Sequence, residues 1–179
     1  MIEPIPRRRK TTVRLSTVMF AILVAVATIC ARAAGDKKIN GFALQLVPSQ
    51  NAIQRGTPVW KAGAAVFVIV TAVNNSKKTV HYNLTNPGFD WEMDVRDKSG
   101  SPVPETEEFR KMKQNGSFTV VRNILVTLKQ HETSQDTIQV NYFYDLRSPT
   151  KYSIQVRREF PEVGKGFVVS NRLDMTIEQ

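Results

Sequence analysis

Cysteine is almost absent from this 179-residue chain, which contains only Cys30. That residue lies in an N-terminal apolar run, so the rest of the chain has no thiol and cannot form an internal disulfide. Stability must therefore come from a packed core, for which about 145 residues are sufficient. Histidine is also scarce, because His81 and His131 are the only two, whereas a zinc site usually needs three or four His, Cys or carboxylate ligands.

The sequence motifs of several common enzyme classes are missing as well. The chain has no G-x-S-x-G nucleophile elbow, no P-loop and no G-x-G-x-x-G dinucleotide fingerprint. Residues 164–166 (GKG) are too short for a phosphate-binding loop, and no helical pattern follows them. Each histidine lacks the orienting partner that metal binding or acid–base catalysis requires. We therefore expect a protein that is not an enzyme and that uses no metal or cofactor.

The N-terminus is basic and then apolar. Five basic residues between Arg7 and Arg14 precede a charge-free run at residues 18–30, which ends before an A-x-A-like cleavage site. This order is typical of a secretory signal peptide, here residues 1–33, followed by a short linker at residues 34–39. We therefore expect the remainder to be exported, to the periplasm or to the cell exterior.

The apolar run leaves a second outcome open. It is shorter than the ~20 residues that span a bilayer, but residues 15–31 would tether the protein to the inner membrane if they were not cleaved. Six of the 25 basic residues and only one of the 16 acidic residues lie within residues 1–33. The high pI therefore largely reflects targeting, and we expect no nucleic-acid partner.

Short segments that alternate apolar and polar residues fill the rest of the chain. Residues 65–73 form the most apolar of them, and in residues 89–96 Trp91 alternates with charged side chains. Turn signals separate eight or nine such segments at a spacing of roughly ten residues, and no long helical period occurs. Residues 40–179 are therefore predicted to form one all-β domain, an antiparallel β-sandwich of about 7–9 strands.

Two parts of this domain depart from alternation. Residues 49–63 are rich in turn signals and are predicted to form a connection that contains Trp60. Residues 104–116 are polar and do not alternate, which predicts an irregular insert, with a short helical turn as one option. Because exposed loops on rigid sandwiches carry specificity, we expect a partner, a protein or another cell-envelope component, to bind this insert and the turn at 85–89. The residues of this predicted binding surface are Glu107, Arg110, Lys111, Lys113 and Asn86.

Three carboxylates, Asp90, Glu92 and Asp94, alternate along the predicted strand at 89–96 and would share one face of it. Carboxylate clusters bind calcium, and carboxylate pairs hydrolyse glycosides. The simpler interpretation is the solvated face of a half-buried strand, because apolar residues occupy the alternate positions.

Residues 144–161 (YDLRSPTKYSIQVRREFP) resemble the penultimate-strand region of immunoglobulin-like domains in exported bacterial proteins. In those domains a turn similar to L-x-x-P-G-K-Y leads into a strand Y-x-[VI]-x-V, although Thr150 replaces the usual glycine here. Residues 74–76 (NNS), which follow an apolar strand, resemble another turn of the same domains. The pattern is also similar to fibronectin type III-like modules and, distantly, to intracellular-proteinase-inhibitor-like domains.

The resemblance implies an immunoglobulin-like sandwich that acts as a binding module. In the quoted stretch, Pro149 is expected to shape a turn, and Tyr152, Ile154 and Val156 to face the core. The Tyr152 hydroxyl is expected to bond back to that turn, as in a tyrosine corner. A protease-inhibitor-like module is one alternative. A carbohydrate-binding domain that uses Trp60 or Trp91 as a sugar platform is another.

Overall fold

The computed structural model describes residues 37–49, 53–54, 57–116 and 123–179. The predicted signal peptide or anchor, with Cys30, lies outside these residues. Strands account for 51% and helices for 12% of the structure, which confirms the predicted all-β class. All described residues belong to one compact unit. None of the helices in this part of the chain has the length and apolar character needed to cross a membrane.

The described residues form eleven strands and three short helices. The strands are β1 (Phe42–Pro48), β2 (Ile53–Gln54), β3 (Thr57–Lys61), β4 (Phe67–Asn74), β5 (Val80–Leu84), β6 (Glu92–Asp97), β7 (Ile124–Leu128), β8 (Thr133–Gln139), β9 (Lys151–Glu159), β10 (Phe167–Val169) and β11 (Leu173–Glu178). The helices are α1 (Pro87–Asp90), α2 (Glu107–Gln114) and α3 (Val140–Phe143).

Two main sheets enclose the core. The first is antiparallel, with the strand order β1-β4-β8. In the second, β9 pairs with β6 along one edge and with β10 and β11 along the other, always antiparallel. β11 also pairs in parallel with β3, which in turn pairs with β2. A separate antiparallel pair is formed by β5 and β7. The Asn171 side chain connects the sheets, since it donates to the Leu46 carbonyl oxygen and accepts from the Leu46 amide.

The core is aromatic at its centre. The Phe160 ring lies 4.4 Å from the Phe42 ring and 5.3 Å from the Tyr82 ring, measured between centroids. Trp91, Phe42 and Phe160 are each about 1% exposed or less. Such rings supply a large apolar area per residue, which suits a domain without disulfides.

The stretch that resembles immunoglobulin-like domains lies at the centre of the second sheet. Tyr152, Ile154 and Val156 alternate inward along β9 and are almost completely buried. The Tyr152 hydroxyl donates to the Ser148 carbonyl oxygen over 2.8 Å, and Pro149 is exposed in the intervening turn. The structure therefore contains a tyrosine corner at this position.

The inward row of β9 continues to a charged residue, Arg158. Its guanidinium lies over the rings of Tyr82, Trp91 and Phe160, 5.0 to 5.7 Å from their centroids, and its Nη2 donates to the Asn83 carbonyl oxygen over 2.8 Å. Burial lowers the pKa of Arg158. Cation–π attraction offsets part of the cost of desolvating this charge.

The strand pattern fails at three places. Residues 57–61 form β3, although the turn-rich composition predicted a connection there. Residues 140–143 form α3, although the apolar and aromatic residues at 138, 140, 142 and 144 predict that the strand continues to residue 144. Pro87–Asp90 is helical, so the strand predicted from residue 89 begins only at residue 92. The reason at this last place is local, because a proline at the first helical position and an Asn cap favour a helical turn.

Candidate functional site

Eight residues of the predicted polar insert, 107–114, form the ordered helix α2, which is longer than the short helical turn that the sequence suggested there. The Thr106 hydroxyl caps it, accepting a hydrogen bond from the Phe109 amide over 3.3 Å. Glu107 and Glu108 lie in its first turn, and Lys111 and Lys113 in its last. This placement complements the helix dipole at both ends, so a short polar sequence forms a defined helix.

A single buried side chain, Phe109, holds α2 on the domain. Its ring lies 5.0 Å from the Phe143 ring and 5.4 Å from the Phe89 ring, between centroids. Gly88 permits this packing, because a Cβ at that position would lie only 2.3 Å from the Phe143 ring. The aromatic packing that holds α2 therefore depends on the absence of a side chain at residue 88.

The chain that leads into α2 is bonded to the region around α3. The Thr106 amide donates to the Phe143 carbonyl oxygen, and the Thr106 hydroxyl donates to the Tyr142 carbonyl oxygen, each over 2.9 Å. The Asp145 amide donates to the Pro104 carbonyl oxygen over 2.9 Å. These bonds fix the point at which the helix begins, as a binding surface requires.

All four charged residues predicted in this segment lie on α2 and are exposed: Glu107, Arg110, Lys111 and Lys113. Lys111 pairs with Glu107 at 2.6 Å, and Lys113 pairs with Glu105 at 2.5 Å. The ammonium of Lys111 lowers the pKa of Glu107, and the carboxylate raises that of Lys111. Exposed pairs of this kind stabilise the fold little, so breaking them to contact a partner would cost little.

A cleft of about 430 Å³ adjoins the N-terminal turn of α2. Its walls come from α2, from the loop between β3 and β4 and from residues 141–147. Asn141 fixes the end of that loop, because its side chain accepts a hydrogen bond from the Val66 amide and donates one to the Ala64 carbonyl oxygen. The charged residues of the cleft are Glu105, Glu107, Glu108, Asp145, Lys61, Arg110 and Arg147. A mixed-charge lining suits a polar protein surface better than an apolar small molecule.

Large apolar side chains are exposed near the same end of the sandwich. Among the described residues they are Phe67, Ile124, Leu125 and Tyr142, with exposures from 37% to 66%. The register places them there, since Phe67 pairs with the last residue of β8 and Ile124 with the last residue of β5. We call the end that holds α2, the cleft and these four residues the helix end. Aromatic and apolar residues beside charged ones are typical of protein interfaces.

Asn86 is not part of this surface, which corrects its prediction as a binding residue. It is only 5% exposed, and its side chain accepts from the Gly88 amide over 3.1 Å. It therefore serves as the N-cap of α1. Its residue type, ahead of a proline, indicated this structural role.

The three alternating carboxylates do not form a cluster. Asp90 lies in α1, is 9% exposed and accepts from the amide and the hydroxyl of Thr85. Glu92 pairs with Arg157 at 2.7 Å. In the part of the chain that the structure describes, no three His, Cys, Asp or Glu residues are placed to hold a metal ion.

The structure also shows the exposure and the surroundings of the tryptophan and histidine side chains. Trp91 and Trp60 are 1% and 8% exposed, so neither ring can serve as a platform for sugars. His81 and His131 are exposed in separate segments, with ring nitrogens 3.0 Å from the Thr127 hydroxyl and 3.3 Å from the Asn75 side-chain oxygen.

Comparison with known proteins identifies one family. The family model described as "Flagellar collar protein C, N-terminal domain" matches residues 57–178, a range that includes α2, the cleft and the whole second sheet except β2. No curated protein matches the chain. No immunoglobulin, fibronectin type III or proteinase-inhibitor family is shown, so what the resemblance in residues 144–161 shares with the structure is its β-rich architecture.

Proposed function

Because this chain belongs to the flagellar collar protein C N-terminal domain family, we propose that it is a non-enzymatic structural domain that binds a protein partner in a flagellar or cell-envelope assembly. The family match, which covers residues 57–178, carries this proposal. The name of the family describes an assembled structure, and a domain in such a structure acts through its surfaces.

The helix end is the surface that we assign to the partner. It combines exposed charges on α2, a cleft and four exposed apolar side chains, of which Tyr142 lies directly beside α2. The aromatic contact of Phe109 and the hydrogen bonds of Thr106 hold α2 in place. A surface that is ordered before binding loses less conformational entropy when a partner docks.

Export to the periplasm or the cell surface is part of the proposal. Its support is the order of the N-terminal sequence, basic residues followed by the apolar run at 18–30. Mass spectrometry of the protein from cells tests it: a first residue at or near Ala34 is expected after cleavage, and an intact N-terminus in the membrane fraction indicates a tether. An intact chain in the cytoplasm would contradict export.

Deletion of the gene tests the function. Electron cryotomography of flagellar motors in the deletion strain should show loss of density around the motor, and the wild-type chain should restore it. An unchanged motor in the deletion strain would contradict a structural role in a flagellar assembly.

Capture of the partner tests the surface. The double variant Arg110→Glu with Lys113→Glu should reduce recovery of the cross-linked partner by about tenfold, because it reverses two interface charges. A matched control, Lys98→Glu with Arg172→Glu, reverses two exposed charges that lie neither on α2 nor in the cleft. Equal recovery with both variants would exclude the helix end as the contact.

A further inference from the structure

Four loops meet at the end of the sandwich opposite the helix end. β4 runs from Phe67 at the helix end to Asn74 at the other, and the connections after β4 and β7 therefore lie together there. We call this the lysine end. Its loops are residues 37–41, 75–79, 129–132 and 160–166.

Hydrogen bonds join these loops into one surface. The Asn75 amide donates to the Gly41 carbonyl oxygen over 2.9 Å, and the Asn40 side chain donates to the Val163 carbonyl oxygen over 2.5 Å. The His131 amide donates to the Asn74 carbonyl oxygen over 2.6 Å. Segments far apart in sequence are thus held at fixed positions relative to one another.

This surface is strongly basic. Its four loops contain six lysines, all exposed: Lys37, Lys38, Lys77, Lys78, Lys129 and Lys165. Only two acidic residues accompany them. The Glu132 carboxylate accepts from the Lys129 amide over 2.7 Å, and Glu162 is half-buried. The lysine end therefore presents a concentrated positive charge, whereas the helix end mixes both signs.

We propose that the lysine end binds the anionic headgroups of a phospholipid membrane. Lysines near an anionic lipid surface are attracted to it additively and without a specific geometry. Lys37 bridges to Val169 in β10 and follows the apolar run at residues 18–30 by seven positions. In a chain that keeps its N-terminus, this run would hold the basic surface close to the membrane; after cleavage the six lysines make the contact alone.

Composition distinguishes a membrane from an acidic protein as the ligand. Protein interfaces are enriched in arginine and aromatic residues and depleted in lysine. The four loops contain no arginine, and their one aromatic residue, Phe160, is buried. This inference goes beyond the proposed binding of a protein partner, because it concerns the opposite end of the domain and requires no flagellar partner.

The test uses the full chain, reconstituted with vesicles of phosphatidylcholine alone or of phosphatidylcholine with phosphatidylglycerol. Acetylation of each lysine by an N-hydroxysuccinimide ester is followed by mass spectrometry. With phosphatidylglycerol, Lys77, Lys129 and Lys165 should react at least about fivefold more slowly, the factor that one lysine's attraction contributes. Lys98 and Lys111, exposed and outside the lysine end, serve as internal controls and should react at unchanged rates.

Salt and variants complete the test. Raising the ionic strength from about 0.1 M to about 0.5 M should abolish the protection, because screening shortens the range of the attraction. Lys77→Gln with Lys78→Gln should weaken the protection of Lys129 and Lys165, and Lys98→Gln with Lys111→Gln should not.

Three results would overturn the proposal. Equal protection in both vesicle types would show that the contact is not with anionic headgroups. Protection of the control lysines would place the contact elsewhere. Protection by poly-glutamate, but not by phosphatidylglycerol vesicles, would assign the surface to an acidic protein. Because all readouts come from purified protein and lipid, failure of this proposal leaves the flagellar role untouched.

Discussion

The Nε1 of Trp91 donates a hydrogen bond to the buried carboxylate of Asp136, 2.7 Å away. The same carboxylate lies close enough to Arg158 to favour its charged form. Asp136→Ala should therefore lower the free energy of unfolding by ~2–4 kcal/mol, since it leaves a buried donor unpaired and a buried cation less compensated. Urea denaturation measures this loss. Asp174→Ala, at an exposed position on β11, should change stability by less than ~0.5 kcal/mol.

The tyrosine corner gives a second prediction. Tyr152→Phe removes the 2.8 Å bond to the Ser148 carbonyl oxygen and keeps the ring in the core. The free energy of unfolding should fall by about 1 kcal/mol, the net contribution of one such bond. Tyr142→Phe is the matched control, because that side chain is 49% exposed. Equal effects of the two substitutions would show that the corner does not stabilise the domain.

Gly88 should tolerate no side chain. Gly88→Ala places a Cβ 2.3 Å from the Phe143 ring, so we expect a loss of ~1–3 kcal/mol in thermal or urea unfolding. A smaller partner should relieve the overlap. In a double-mutant cycle with Phe143→Leu, the two losses should therefore sum to more than the loss of the double variant. Strict additivity would contradict the close packing.

The cap of α2 can be tested locally. Thr106→Ala removes the acceptor for the Phe109 amide and the donor to the Tyr142 carbonyl oxygen. Amide hydrogen exchange in α2 should accelerate by about fivefold, since a cap contributes ~1 kcal/mol. Thr106→Ser should restore slow exchange. Amides of β9 should be unaffected, and faster exchange there would indicate a global effect.

Alkaline pH should destabilise the domain through Tyr144. Burial raises the pKa of its hydroxyl to about 12, and the hydroxyl donates to the Met93 carbonyl oxygen over 2.8 Å. A raised pKa means that the folded state holds the proton more tightly, so this stabilisation is complete below pH ~10 and is lost as the pH rises towards 12. Urea denaturation across this range should show a fall in stability that is smaller in Tyr144→Phe. Equal slopes would contradict the assignment.

Alternation predicts the inward faces well where the strand is long. Tyr152, Ile154 and Val156 are buried, and their period of two is enough to predict it. The same period places Arg158 on the inward face, although its charge alone predicts exposure to solvent. Only the three-dimensional placement of aromatic rings from other strands makes that burial tolerable.

The helix end was predictable in part. The polarity of residues 104–116 predicts exposed charges, and Arg110, Lys111 and Lys113 are exposed. Helix α2 was missed because it buries one residue and has no continuous apolar stripe. Thr106 followed by two glutamates was the available signal, since it resembles a capped helix start. The exposed apolar residues that complete this end come from distant segments, so no local pattern connects them.

The parallel pairing of β3 with β11 has a consequence for how the chain folds. Their residues are separated by most of the domain sequence, and long-range pairing of this kind slows folding. Until residues 173–178 are in place, β3 keeps an open edge that other chains can join. Every folding event passes through that state, so the edge of β3 is where a chaperone would protect the chain most effectively and where aggregation would begin.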